Sequence, residues 1–389
     1  MTTEQIQTFT DKSYLQKPVP ETHRPTVARV SVAALEHNFK AVQKLAKPAK
    51  LMAVVKADGY GHGLMTCARL FSALGVDYFG VGFLEEGIEL RRGGIREPIL
   101  VLGGIVGQQI HHFLDLDLEM TASSVFKARA IHEAAVRTGK RARVHLKIDT
   151  GIGRIGQNFR TAGMLFEAVA KLPQLEIVGI YSHFATAEEN NMSFAREQIK
   201  RFNECLDLAK SMGIEAPLVH IANSAGLINF AESKFTMVRP GLALYGQHAS
   251  PNLSEKLALM PAMSLRSEIV YIKKVRKGDG ISYGLTWHAA SDSWVATIPI
   301  GYGDGYPRAL SNRAPVLIGG KRYPVVGAVC MDQVMVDLGD DYYPVGEEVI
   351  LWGKQGSEEI PLWELCKLAD MIPYELSILL TGRVPRIYE

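Results

Sequence analysis

Lys56 closes a short apolar run, Leu51-Met-Ala-Val-Val, and three glycines at Gly59, Gly61 and Gly63 follow it at once. The run is partly β-branched and reads as a strand buried on both faces, with a helical pattern opening at Leu64. Strand, charged residue, glycine loop and helix, in that order, form the junction at which α/β folds carry their chemistry. A lysine at such a rim is partly desolvated, which lowers its pKa and frees a neutral amine. That amine can attack a carbonyl carbon and form a Schiff base. The competing reading is a strand-end lysine that reaches water along its aliphatic stem.

Later strand-like runs also end on polar residues. Lys147 and Asp149 precede Thr150-Gly-Ile-Gly-Arg154; Tyr181 and His183 close another run; His220, Asn223 and Ser224 a third; Arg239, with Pro240-Gly241-Leu242 behind it, the last. Tyr60 stands in the first loop. Barrels commonly bind phosphate at the loops after their last two strands, near a helix N-terminus. Asn223-Ser224-Ala-Gly226 and Arg239-Pro-Gly241-Leu242 occupy those places, and a hydroxyl with main-chain N–H groups near glycine suits a phosphate dianion. There is no GxxxxGK[ST] stretch and no second charge cradle for a nucleotide. A Schiff-base lysine plus one phosphate pocket points to pyridoxal 5′-phosphate.

The elements that must position these residues alternate. Ser31 can cap a helix over Val32–Ala46, with Leu35, Phe39, Val42, Leu45 and Ala46 on one side. After the first strand come strand candidates at Tyr78–Phe83, Pro98–Gly103, Leu118–Ala122, Ala142–Ile148, Leu175–His183, Pro217–Asn223 and Thr236–Tyr245. Helical patterns lie between them, the clearest at Met192–Met212, with Ile199, Phe202, Leu206 and Leu208 recurring on one side. Eight βα units in succession predict a closed parallel (β/α)8 barrel of the TIM type. An open doubly wound sheet is the alternative, but Asp58-Gly-Tyr-Gly-His-Gly63 lacks the GxGxxG spacing. From about Pro261 the pattern becomes short strand candidates (Ser267–Val275, Trp294–Ile300, Ala314–Ile318, Tyr323–Val329, Val334–Leu338 and Glu348–Trp352) between turn signals. Short helical patterns near Pro361–Ala369 and Tyr374–Leu380 and an extended Arg383–Tyr388 follow. The expected division is an extension over residues 1–24, a barrel over 25–260 and a C-terminal β-rich domain over 261–389, with 25–30 a candidate to pair with the latter. The extension is expected to be flexible or an oligomer arm, without chemistry of its own.

Net charge is +2, with lysine and arginine scattered, so there is no electrostatic case for nucleic acid or an anionic membrane. No apolar run approaches a membrane span and no secretory pattern opens the chain. Cys67, Cys205, Cys330 and Cys366 lie far apart, which argues against zinc and fits a reducing cytoplasm. His111 and His112 are neighbours on a helical pattern and point about 100° apart, as on a solvated face rather than in a ligand pair. No metal is expected. Gly59-Tyr-Gly-His-Gly63 and Gly301-Tyr-Gly-Asp-Gly305 look alike but stand in different contexts, and their likeness reads as chance.

Ala53-Val-Val-Lys-Ala-Asp-Gly-Tyr-Gly-His-Gly63 resembles the cofactor-lysine motif of alanine racemases, of the fold-type III pyridoxal phosphate class. The resemblance extends through Asp149–Arg154, Ser182-His183-Phe184, Ala222-Asn-Ser-Ala225, Arg239-Pro-Gly241, Ser282-Tyr-Gly284, Ile300-Gly-Tyr302, Cys330-Met-Asp-Gln333 and Arg383-Val-Pro-Arg386. It implies that Lys56 holds the cofactor aldehyde and serves as base on one face of a small amino-acid substrate. It implies that Tyr60 and Ser224 bond the phosphate, with Asn223, Gly241, Leu242 and Tyr302 also at the cofactor. The ring of His183 would lie against the pyridine, and Arg239, supported by His220, would meet the pyridine nitrogen. Arginine does not readily give up a proton, so that nitrogen stays unprotonated and is a weaker electron sink, which disfavours transamination. Arg154 would bind the substrate carboxylate.

Racemisation needs proton exchange on both faces of Cα. The resemblance implies Tyr283 as second base, lent by the partner of a head-to-tail homodimer together with Tyr302, Met331 and Asp332. Without the resemblance Tyr283 reads as a turn-flanking aromatic, since a phenol is a poor base at neutral pH unless cations shift it. Arg308 would join a polar relay behind the site. Lys147 points into the barrel, and some members of the family carry a carbamylated lysine there that orients Arg154. Some relatives have a phosphate-binding tyrosine just before Arg383-Val-Pro; here that position is Gly382. Alternatives are a racemase of the same fold acting on serine, lysine or several amino acids, a fold-type III decarboxylase, a single-barrel pyridoxal phosphate carrier, and a phosphate-binding barrel without pyridoxal. Tyr283 and Cys330-Met-Asp332 speak against the decarboxylase, and the β-rich region against the carrier.

Overall fold

The computed structural model describes residues 23–389, so the expected extension lies outside the described residues except for its last two, His23 and Arg24. The chain forms two compact units, Leu35–Met260, and Pro261–Glu389 together with the described residues up to Ala34.

After β1 (Val27–Val30) and α1 (Val32–Ala46), the first unit runs through β2 (Lys50–Val54), β3 (Tyr78–Val81), β4 (Ile99–Val101), β5 (Glu119–Ala122), β6 (Ala142–Asp149), β7 (Leu175–Tyr181), β8 (Leu218–His220) and β9 (Met237–Val238). Neighbours from β2 to β8 pair in parallel, and β9 returns to pair with β2. Between β8 and β9 the main chain still closes the ring, Thr236 N–H donating to Val219 O at 3.2 Å and Arg239 N–H to Ala222 O at 2.9 Å. The result is the nearly closed eight-stranded parallel barrel that the alternation predicts. Its strands are apolar runs because helices cover one face and the barrel interior the other. Met52, Tyr78, Leu100, Val178, Leu218 and Met237, one from each of six strands, fill part of the interior.

Ser31 caps the first helix as expected, accepting from Ala34 N–H at 3.2 Å. Two expectations fail locally. The Thr236–Tyr245 run is a strand only at Met237–Val238, because Pro240 has no N–H to continue a ladder, and Leu242–Tyr245 coils into a 3-10 turn. On the Ser193–Ser211 helix Leu208 is exposed, while Cys205 and Ala209, one and two turns on from Phe202, take the buried positions. His111 and His112 are exposed, as a solvated face requires.

The second unit is β-rich, as predicted. Its main sheet runs β11 (Tyr271–Val275), β12 (Ser293–Ile298), β15 (Val334–Gly339), β14 (Lys321–Val326), β13 (Pro315–Ile318), β16 (Glu348–Gln355), β10 (Met263–Glu268), β1 and β17 (Arg386–Tyr388). β1 lies antiparallel to β10 and parallel to β17. Residues Ser267–Val275, read as one strand, are parts of two, separated at Ile269–Val270. Arg24 is not loose: its guanidinium meets the buried Asp304 at 2.7 Å and donates to Arg383 O at 2.7 Å and Pro299 O at 3.1 Å.

In the barrel unit, the buried Asn38 of α1 donates to Met260 O at 2.8 Å and Leu244 O at 3.4 Å and accepts from Met260 N–H at 2.8 Å. Asn38→Leu leaves those main-chain groups unpaired and should lower stability by about 1–3 kcal/mol. Urea unfolding checks this, as a lower midpoint at unchanged slope.

Candidate active site

The stretch after Lys56 is not an irregular glycine loop. Ala57, Asp58, Gly59 and Tyr60 all have left-handed φ, at 53°, 54°, 59° and 53°. Only glycine adopts this conformation freely; each L-residue there costs about 1–2 kcal/mol. Two carboxylates hold the turn. Glu86, in the first turn of the Leu84–Arg92 helix, accepts from Ala57 N–H at 2.6 Å through Oε1. Its Oε2 accepts from Gly82 N–H at 2.7 Å and Phe83 N–H at 3.2 Å. Asp58 Oδ1 accepts from Leu64 N–H at 2.7 Å, which starts the next helix. Lys56 therefore leaves β2 on a clamped backbone.

The barrel residues read from the sequence converge electrostatically. Burial pulls the Lys56 amine below the usual lysine range, the Arg154 guanidinium pulls it further, and Glu86 opposes them. Burial first, then Arg239 and Arg154, pull Lys147 well down against Asp149. Lys147 Nζ rests 4.1 Å over the Tyr181 ring. Burial among cations thus disfavours the charged form of both lysines. Arg154 lies on a loop shaped by Asp149, whose Oδ1 accepts from the N–H groups of Gly151, Ile152 and Gly153 at 2.9, 3.0 and 3.2 Å.

Arg239 is buried and almost fully coordinated. One terminal nitrogen donates to His220 Nδ1 at 2.8 Å. The other donates to Ser182 O at 2.8 Å, Ile221 O at 3.2 Å and His183 Nδ1 at 3.2 Å. Burial and Arg154 bring its pKa down to about 10, still cationic at neutral pH. Burial first, then the surrounding cationic side chains, hold His183 well below the usual imidazole range; burial first, then Arg239, do so for His220.

At the phosphate corner, Ser224 Oγ accepts from Gly241 N–H at 3.1 Å and Ala243 N–H at 3.2 Å. Asn223 caps the short Ser224–Asn229 helix, accepting from Gly226 N–H at 2.8 Å. Leu242 opens the 3-10 turn. Gly241 is required: a Cβ there would lie 2.4 Å from the Tyr60 hydroxyl. The Tyr60 ring stacks on Tyr245 at 5.0 Å. A phenol and a serine hydroxyl, the latter positioned by two N–H groups, thus meet beside one glycine, and hydroxyl donors of this kind suit a phosphate dianion.

The remaining residues lie in the β-rich unit. Tyr283 stands 77% exposed on a turn between left-handed Ser282 and Leu285. Ser282 Oγ lies 3.4 Å from Cys330 Sγ. Tyr302 N–H donates to Cys330 O at 3.0 Å and Gly303 N–H to Met331 O at 2.9 Å, so Tyr283, Tyr302 and Met331 share one edge of their unit. Asp332 pairs with Arg383 at 2.6 Å. Arg308 is exposed at the start of a 3-10 turn. The two look-alike glycine stretches differ: Gly59–Gly63 follows a left-handed path, and Tyr302–Asp304 is a 3-10 turn.

The sequence reading missed Glu86, whose only signal was its place in the first turn of a helix, and the buried polar chain beyond His220. Glu86→Ala should unclamp Ala57 and leave two further N–H groups unpaired, costing about 1–3 kcal/mol; denaturant unfolding of purified variant and parent checks it.

Residues 30–249 match the family "Alanine racemase, N-terminal domain" and residues 262–388 the family "Alanine racemase, C-terminal domain". The chain is 43% identical over 366 residues to an alanine racemase of Symbiobacterium thermophilum, covering 94% of this chain and 97% of that one. It is 42% identical over 367 residues to one of Carboxydothermus hydrogenoformans, covering 94% and 100%. Among solved structures it is similar to the alanine racemase of D-cycloserine-producing Streptomyces lavendulae (TM-score 0.90, 35% identity, 95% and 98% covered). It is also similar to that of Bacillus anthracis with bound L-Ala-P (TM-score 0.89, 36% identity, 94% and 95% covered). With both halves matched and the barrel, glycine cradle and cation cluster in place, the chain belongs to the alanine racemase family.

Proposed function

We propose that this chain interconverts L- and D-alanine with pyridoxal 5′-phosphate, by proton exchange on both faces of Cα. The observation that carries this reading is the depressed Lys56 amine on a clamped turn, among Lys147, Arg154 and Arg239 and within one barrel rim of the Gly241 cradle. The donor set fits the cofactor: Tyr60 and Ser224 would hold its phosphate with the Gly241 and Leu242 main chain, Asn223 at the helix cap and Tyr302. His183 would lie against its ring and Arg239 would face its ring nitrogen. When bound, the cofactor withdraws electrons from Cα and so makes its proton removable.

The chain's own residues do the rest. Lys56 Nζ, whose charged form burial disfavours, would hold the cofactor and then take or return the proton on one face. Arg154 binds the substrate carboxylate and orients Cα. Lys147, neutral or carbamylated, sets Arg154, and Arg308 supports the relay behind. Tyr283 Oη of a second copy serves the opposite face, with that copy's Met331 and Asp332 bounding the space for a small side chain. The working form is then a head-to-tail homodimer. Its exposed Tyr283 edge supports this. Residues 25–260 serve as the cofactor-binding barrel and 261–389 as the lender of Tyr283. The scattered thiols suit the cytoplasm, where the product would supply D-alanine for peptidoglycan. No helix among the described residues is long and apolar enough to cross a membrane.

Borohydride reduction of the holoenzyme should place a pyridoxyl group on Lys56; peptide mapping to another lysine overturns the assignment. Because burial and Arg154 lower the Lys56 pKa, its neutral fraction rises at lower pH than that of a free lysine. Capture of added cofactor by apoenzyme should therefore level off below the ordinary lysine range of about 10.4. Stopped-flow absorbance against pH reads this, and a rise continuing to that value contradicts it. Tyr283→Phe should lower kcat by about 10²–10⁴-fold and slow solvent-deuterium exchange from one enantiomer more than from the other. Equal residual exchange from both would remove Tyr283 from the role.

A further inference from the structure

Beyond Arg239 a chain of hydrogen bonds crosses the barrel interior. His220 Nε2 lies 2.9 Å from His145 Nδ1, and His145 Nε2 lies 2.7 Å from Glu119 Oε2. Glu119 Oε1 meets Arg143 at 2.5 Å and the Tyr78 hydroxyl at 3.4 Å. Glu119, His145, His220 and Arg239 are all buried. Glu119 sits in register with Leu100, which belongs to the layer of apolar side chains filling the barrel. Apolar residues on β5 and β6 would fill the same space without the cost of burying a carboxylate.

We infer that Glu119 and His145 are positioning residues for the reaction, a relay that fixes the charge and orientation of Arg239. The inference rests on the reading that Arg239 faces the cofactor ring. Arginine has no acceptor, so His220 Nδ1 accepts and its proton sits on Nε2. That proton is donated to His145 Nδ1, which places the His145 proton on Nε2, where Glu119 accepts it. Every bond points from the guanidinium to the carboxylate, with two neutral imidazoles between opposite charges. A reversal at any member would set N–H against N–H at His220 and release Arg239.

The fold makes room for this chain. A Cβ on Gly179 would lie 2.3 Å from His145 Nδ1, and the β6–β7 register shifts between Val144 and His145. Tyr181 stacks on His220 at 4.8 Å and 7° and meets His145 edge-on at 6.3 Å, while Tyr78 meets His145 edge-on at 6.4 Å. Both imidazoles are boxed. The groups facing them are Arg239, Lys147, Glu119, Tyr78 and Tyr181.

The test uses holoenzyme labelled with ¹⁵N-histidine. Both imidazoles should appear as neutral Nε2–H tautomers, with a ¹⁵N–¹⁵N coupling across the bond between them. Glu119→Gln and His145→Leu should lower kcat by about 10–100-fold, leave KM for alanine near the parental value and shift the cofactor absorption band. His145→Gln, whose amide can accept from His220 and donate to Glu119, should restore most of the rate and the band. An Nδ1–H or doubly protonated imidazole at either position overturns the relay, as do folded Glu119→Gln and His145→Leu variants with parental kcat and band. If His145→Leu does not fold, Glu119→Gln and His145→Gln decide between the same outcomes. Failure of borohydride to tag Lys56 in the parent would instead sink the site reading, and the tautomer measurement reads the relay without turnover.

Discussion

An amine buried among other cations is costly to keep charged and cheap to keep neutral. That asymmetry governs the barrel rim. Lys56 and Lys147 both lie where Arg154 and, for Lys147, Arg239 raise the potential, and burial removes the water that would otherwise screen it. Both lysine amines are held below the ordinary lysine range in consequence. The site thus sets guanidinium groups suited to binding anions beside a lysine whose amine gives up its proton more readily than a free one. The left-handed turn and its Glu86 clamp, the Asp149-shaped loop and the donors around Gly241 serve this division by fixing where each group stands.

Polarity also runs deeper than the rim. A barrel interior is ordinarily layered with branched apolar side chains, and six strands here follow that rule. The exceptions, Glu119 and His145, lie on neighbouring strands, and the glycine at position 179 and a register shift leave space for them. Arg143 compensates the carboxylate at one end and Arg239 stands at the other. A polar inclusion of this kind is tolerable because each member has a partner.

Much of this was legible in the residues. The alternation of apolar runs gave the barrel and the change of pattern near Pro261 the β-rich unit, because burial on both faces imposes continuous apolar strands. Lys147, His183, His220 and Arg239 were found as polar residues ending such runs. The conformation after Lys56 was not legible, because Ala57 and Tyr60 carry no mark of a left-handed turn. One of the two carboxylates that hold it, Glu86, comes from another βα unit. Glu119 and His145 read as polar residues inside strands, and only the strand order brings them to His220. Leu208 shows the same limit on a smaller scale: helical spacing marks a stripe but not its edge.

The position of β1 has a bearing on biosynthesis. Val27–Val30 lies between Met263–Glu268 and Arg386–Tyr388 and pairs with both. A chain emerging from the ribosome exposes this segment early, and its two neighbours arrive only after the whole barrel has been translated. Throughout that interval it is a short β-prone stretch with unpaired main-chain groups, the kind of edge that recruits other chains. A chaperone that shields residues near Val27 until Tyr388 is made would therefore protect the yield of the whole protein.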